Sequence, residues 1–104
     1  MAPVEYAWTS FTQNAVIIEA NSQGSSAEPR FHPTQKPIYL YEELLDRFAK
    51  PGDKILDTHV GSASSLIACY RMNYDVWGYE IDQEYYTKAC KRLEDEMAQI
   101  RMEL

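Results

Sequence analysis

The sequence predicts an α/β fold built on a parallel sheet, and three observations carry that reading. A short apolar strand, "KILDT" (residues 54–58), runs into a small-residue loop and then a helical stretch, "SSLIACYRM" (64–72). After the turn residues Asn73 and Tyr74 comes a second strand, "DVWGYEI" (75–81). Strand, helix and strand within about thirty residues make a βαβ unit, whose crossover lays the two strands parallel. Third, Ile38, Tyr41, Leu44, Leu45 and Phe48 recur at helical spacing ahead of the first strand, predicting a helix over 38–49 that can cover the sheet.

The remaining elements follow in order. "YAWTSF" and "NAVIIEA" are aromatic and β-branched and are separated by Thr12 and Gln13, so residues 1–19 read as a strand pair, an N-terminal β-hairpin. Residues 20–30 are small and polar with one Gly and one Pro, a surface loop. Pro37 suits the first turn of the helix that follows, and "KPGD" (50–53) ends it. Asp82 is placed to cap a C-terminal helix. In that helix Tyr86, Cys90, Leu93, Met97, Ile100 and Leu104 recur in steps of four and three. Packing on the chain's own sheet accounts for this stripe, with a short coiled-coil seam as the alternative.

Composition narrows the function classes. At 104 residues and 45% hydrophobic content, the chain is read as one partial domain, 1–104, with a small core. There is no run of about eighteen apolar residues to span a membrane, and no basic-then-apolar leader. Cys69 and Cys90 lack a disulfide-framework spacing and read as reduced core residues of a cytoplasmic protein. Ten basic against sixteen acidic residues give a net charge of −6, the wrong sign for gripping nucleic acid unaided. His32, His59, Cys69 and Cys90 do not fall into a metal-ligand spacing. Neither a phosphate-binding Gly-Lys-Ser/Thr nor a G-x-S-x-G elbow occurs. The eight tyrosines, and Trp8 with Phe11, are read as packing residues rather than a base-stacking surface.

Ligands of parallel α/β sheets bind outside the carboxyl ends of the strands. Asp57 ends the first strand there, and Glu80, twenty-three residues later, ends the second. A strand-end carboxylate at that distance can accept from both hydroxyls of a ribose. Gly61 lets the loop backbone approach a ligand and take a positive φ. The helix N-terminus after it offers unpaired N–H groups. These features point to a nucleoside-containing cofactor. The plainer readings are an ordinary βα turn and a solvated carboxylate.

A polar box, His32-Pro33-Thr34-Gln35-Lys36-Pro37, stands before the predicted helix. With "GDKILDTHVGSASSLIACYRMNYDVWGYEIDQEYYTKACKRLE" behind it, the chain resembles the cofactor-binding C-terminal part of the permuted, beta-class amino-group DNA methyltransferases of phage and restriction-modification systems. The resemblance covers roughly residues 6–93. It implies a partial Rossmann-like, S-adenosylmethionine-dependent methyltransferase fold, acting on adenine N6 or cytosine N4. By that resemblance the cofactor contacts fall on Phe31, His32, Thr34, Lys36, Asp57, Thr58, Gly61, Ser62, Ser64, Glu80 and Ile81. Thr34 and Lys36 would lie near the methionine carboxylate, and Asp57 would accept from its ammonium. Gly61 and Ser62 would carry the loop under the cofactor, Glu80 would hold the ribose, and Ile81 would flank the adenine. The box alone also reads as a Pro-flanked turn.

Two departures from the family pattern stand out. Ala63 occupies a position where many members carry a second glycine, and alanine disfavours positive φ. The family's Asp/Asn-Pro-Pro-aromatic tetrapeptide, which grips the target amine of a flipped base, occurs nowhere: Pro3, Pro29, Pro33, Pro37 and Pro51 are all isolated. No catalytic residue is therefore assigned to this chain. The expectation is a cofactor-holding part that meets DNA only through a complete enzyme, with a catalytic half in trans or self-association into a homo-oligomer covering open strand edges. The alternative is a degenerate cofactor-binding or oligomeric α/β module without methylation activity.

Overall fold

The computed structural model describes residues 35–103, and the side chains of residues 35–100. The predicted strand pair, the polar loop, and Phe31, His32 and Thr34 of the box lie outside the described residues. Element order is α1 (Ile38–Phe48), β1 (Lys54–Asp57), α2 (Ser64–Arg71), β2 (Asp75–Gly78) and α3 (Gln83–Glu103). Among the described residues β1 and β2 form a two-stranded parallel sheet, with Lys54 opposite Asp75 and Asp57 opposite Gly78. The predicted α/β class and βαβ core are what the structure shows.

Local chemistry explains where each element stops. Pro37 stands at the N-cap of α1, one residue ahead of its first turn, and its carbonyl accepts from the Leu40 amide. After α1, Pro51 and Gly52 make a tight turn closed by the Asp53 amide on the Lys50 carbonyl. Gly52 takes φ 90°, which the third position of that turn requires. The Asp53 carboxylate accepts the Lys50 amide at 2.8 Å, fixing the entry to β1. Asp82 caps α3 as expected, its side chain accepting the Tyr85 amide at 3.0 Å.

Alternation in the strands splits the sheet into two faces. Ile55 and Val76 pack with α1 and α2 against Ile38, Leu45, Ile67, Ala68 and Cys69. Ile67 and Cys69 are the largest fully buried side chains. On the other face Leu56 and its register partner Trp77 are exposed. A smaller cluster of Val60, Ala63 and Ala89, backed by Leu66, joins the loop after β1 to α3.

Two expectations need correcting. Glu80 does not end β2. The strand stops at Gly78, and Tyr79 makes the last ladder contacts through its amide on Asp57 and its carbonyl on Val60. The chain turns there because the Glu80 carboxylate is drawn to neighbouring amides. Among the described residues α3 packs on α2 and the loop, through Ala89 and Leu93, while Tyr86 is half exposed. Arg71 of α2 pairs with Glu96 of α3 and, at 3.9 Å, with Glu42 of α1, tying the three helices at the surface. Tyr39 and Tyr79 are exposed too, so the tyrosines are less uniformly core residues than their spacing predicts.

Candidate functional site

The carboxyl ends of β1 and β2 bring Asp57, the loop 58–63 and Glu80 together. Asp57 closes β1 with its side chain turned towards α2. One carboxylate oxygen accepts the His59 amide at 2.9 Å, and the other accepts the Ser65 hydroxyl in a short bond. The carboxylate therefore shapes the loop's first turn and satisfies the first turn of α2, where a negative charge is favourable. Thr58 is exposed, its hydroxyl 2.9 Å from the His59 ring Nδ1.

The loop then makes two left-handed residues in three. Gly61 has φ 58° and Ala63 φ 73°, with Ala63 at the N-cap of α2 and completely buried. The Ala63 amide donates to the Val60 carbonyl at 3.1 Å, and the Ala63 carbonyl accepts from Ile67 at 3.0 Å, starting the helix. Left-handed alanine costs about 1–2 kcal/mol, so packing must hold it. Val60 lies over β2 so closely that a Cβ on Gly78 would stand 2.5 Å from its Cγ2 methyl. Gly78 is glycine for that reason: it is the floor on which the loop rests.

Ser62 and Ser64 are buried, their hydroxyls 3.1 Å apart. From α3 the Arg92 guanidinium donates to the Ser62 carbonyl at 2.9 Å and to the Ser64 hydroxyl at 3.0 Å. The side chains of both serines thus point into the protein, leaving the loop backbone as the surface available to a ligand.

Glu80 receives the Gly61 amide on one oxygen at 2.8 Å and the Asp82 amide on the other at 2.9 Å. A carboxylate has about four acceptor positions, so the chemistry that accepts these amides also suits hydroxyl donors. Ile81, next in the chain, is 100% exposed.

Of the residues singled out in the sequence, the structure gathers Asp57, Thr58, Gly61, Ser62, Ser64, Glu80 and Ile81 around this loop. Lys36 is half-buried just before α1, with Gln35 buried beside it in sequence. Sequence reading missed Gly78, Arg92 and Ser65. A mid-strand glycine was the available signal for the first, and a cation one turn from Ala89 on α3 for the second.

Beside Asp57, on the α1 side of the sheet, lies an apolar cavity of about 440 Å³ lined by residues including Tyr41, Leu44, Phe48, Leu56 and Cys69. Burial, and after it the Asp57 charge, push the Cys69 thiol up to about 11, so it is neutral and unreactive at ordinary pH. Among the described residues no three His, Cys, Asp or Glu side chains converge as metal ligands. No described helix is long and apolar enough to cross a membrane.

Comparison with known proteins places this geometry. A family model for DNA methylases matches residues 5–91. The type II methyltransferase M2.DpnII of Streptococcus pneumoniae is 43% identical over 65 residues, 62% of this chain and 24% of that protein. M.HpaI of Haemophilus parainfluenzae is 40% identical over 65 residues, 62% of this chain and 21% of its own length. The chain thus spans about a quarter of the curated relatives it matches. Among solved structures, the M1.HpyAVI–SAM complex superposes with a TM-score of 0.58 at 37% identity, over 60% of this chain and 31% of the other.

Proposed function

This chain belongs to the DNA methylase family, and from that premise we propose that it is the S-adenosylmethionine-holding part of a DNA amino-methyltransferase. The observation that carries the reading is the bracket at the sheet's carboxyl end. Two carboxylates, Asp57 at the end of β1 and Glu80 two residues past the end of the parallel β2, stand on either side of a left-handed loop, with Ile81 exposed beside them. That donor and acceptor set fits the cofactor: a carboxylate for its ammonium, a carboxylate for its ribose hydroxyls, an aliphatic face for its purine and bare loop backbone beneath.

In this reading Asp57 accepts from the methionine ammonium while its bonds to His59 and Ser65 hold the carboxylate in place. Glu80 accepts from the ribose, oriented by the Gly61 and Asp82 amides. Lys36, with His32 and Thr34 of the polar box and Phe31 just before it, closes the carboxylate end. Thr58, Gly61, Ser62 and Ser64 make and shape the loop. When bound, the cofactor supplies a methyl group on a sulfonium centre, ready for transfer to a nucleophilic amine. Nothing in the 104 residues matches the Pro-Pro tetrapeptide that would present such an amine. Methyl transfer to adenine N6 or cytosine N4 needs that tetrapeptide from outside these 104 residues. DNA is engaged through the complete enzyme, since a chain of net charge −6 repels phosphate.

The test is a calorimetric titration of the full chain with S-adenosylhomocysteine. Saturable binding is expected, weakened by about 1–3 kcal/mol in Asp57→Ala and in Glu80→Ala, the range for a charge-assisted hydrogen bond. Binding unaltered in both variants would remove this pocket from consideration. A second reading, a cofactor-binding module without methylation, requires no such tetrapeptide. Labelled-methyl transfer to DNA on adding a polypeptide that carries the tetrapeptide decides against it.

A further inference from the structure

We propose that Arg92 is a positioning residue for the loop between β1 and α2: acting through Ser62 and Ser64, it holds the Gly61 amide on the Glu80 carboxylate. The consequence for ligand binding rests on the cofactor reading above, while the positioning itself rests on the geometry. Arg92 lies thirty residues from Ser62 in the chain and reaches it from α3, half-buried, with one nitrogen donating to both the Ser62 carbonyl and the Ser64 hydroxyl. The acceptor that matters is the carbonyl. It belongs to the peptide plane between Ser62 and Ala63, inside the turn whose left-handed residues are Gly61 and Ala63.

Left-handed alanine gains by rotating that plane away, since its Cβ then escapes the carbonyl oxygen. A directed bond from a guanidinium to the carbonyl opposes the rotation. If the plane turns, the preceding Gly61 amide leaves its position 2.8 Å from Glu80. One turn earlier on the same face of α3, Ala89 packs on Val60 and Ala63, so α3 backs the loop by contact as well as by hydrogen bond. Arg71, which joins α2 to α3 through Glu96 at the surface, supplies the control for helix–helix attachment as such.

The experiment uses the full chain, labelled for NMR, with the Gly61 amide followed through a pH titration of the carboxylates. In the wild type the Gly61 amide proton shift follows Glu80 ionisation. In Arg92→Met that response is expected to fall severalfold, to return in part in Arg92→Lys, and to stay intact in Arg71→Met. Should Arg92→Met fail to fold, Ser64→Ala removes one acceptor, and a smaller loss of the same response is expected. A Gly61 response unchanged in the Arg92 and Ser64 variants overturns the proposal.

S-adenosylhomocysteine then separates the two claims. Arg92→Met is expected to raise Kd about tenfold in the wild-type background and less than twofold in Glu80→Gln, because both act through one contact. Equal factors in the two backgrounds would mark Arg92 as merely structural and sink the proposal. A Gly61 response lost with Arg92, in a chain that does not bind the ligand at all, would overturn the cofactor reading and leave the positioning standing. Ligand binding with an unmoved Gly61 amide would do the reverse.

Discussion

The two ends of α2 use the same backbone conformation by different means. At its C-terminus Asn73 takes φ 63°. The Tyr74 amide reaches back to the Cys69 carbonyl at 2.9 Å, and the Asn73 amide to Tyr70 at 3.3 Å. That is a Schellman closure, and Asn is among the residues that tolerate the left-handed region. At the N-terminus Ala63 takes φ 73° with no side-chain chemistry to favour it. The backbone bonds that close the C-terminal end all lie within residues 69–74. The N-terminal end is held by Val60, Ala89, Arg92 and the floor at Gly78, from three separate elements. The difference shows where strain is stored: at the end that faces the candidate ligand, fixed by tertiary contacts rather than by local preference.

If that contrast holds, the sharpest way to disturb one end alone is Gly78→Ala. The new methyl meets the stiff, β-branched Val60 side chain at 2.5 Å and Leu66 at 3.0 Å, so the loop must lift. The expected cost is about 1–3 kcal/mol in urea unfolding, the range for overpacking. S-adenosylhomocysteine affinity is expected to fall with it, while the Tyr74 amide keeps its exchange protection. Loss of protection at both ends would show that α2 responds as one body.

The buried face of α2 gives the next largest effect. Cys69, in the last turn of the helix, lies in the core, its pKa raised from 9.0 to about 11. A thiol whose folded pKa is raised favours the folded state fully below its unfolded pKa. That contribution is lost as pH climbs through the folded value, hence between about 9 and 11. Up to about 2 kcal/mol of unfolding free energy should disappear over that window. The loss is expected to be absent in Cys69→Ala, and a pH profile identical in the two proteins would contradict it.

The same contrast explains what could be read before the fold was known. The βαβ unit, the Asp82 cap, and Asp57, Gly61 and Glu80 were legible because periodicity, turn chemistry and strand-end spacing are local properties. Ala63 stood out only through the resemblance, as an alanine where many members of the family carry glycine. Arg92 was not legible, because its acceptors lie twenty-eight and thirty residues away and only the packing of α3 on the loop brings them near. The end of β2 was misplaced for a related reason. "DVWGYEI" has strand composition throughout, yet the Glu80 side chain binds two amides, Gly61 and Asp82, and pulls the chain out of the ladder. The burial of the serine side chains was equally hidden, since nothing in "GSASS" says which way each hydroxyl points.

The smallest effects compare the two left-handed residues directly. Asn73→Ala removes a side chain that tolerates φ 63° and leaves one that does not, so a loss of about 1 kcal/mol is expected. Ala63→Gly is the informative opposite. Relieving the left-handed alanine returns about 1–2 kcal/mol. The buried methyl forfeits about 0.8 kcal/mol of transfer free energy. A glycine also widens the unfolded ensemble by about 0.4–1 kcal/mol. The terms nearly cancel, and a melting temperature within a few degrees of wild type is expected. Affinity follows the same logic. Glycine is at ease in the left-handed region and removes the drive to turn the Ser62–Ala63 peptide plane, so the Gly61 amide should stay on Glu80 at least as firmly and S-adenosylhomocysteine should bind as well as to the wild type or better. A variant that is equally stable but binds more weakly would mean that the buried alanine methyl, packed against Val60 and Ala89, orders the loop and that Arg92 does not hold it alone.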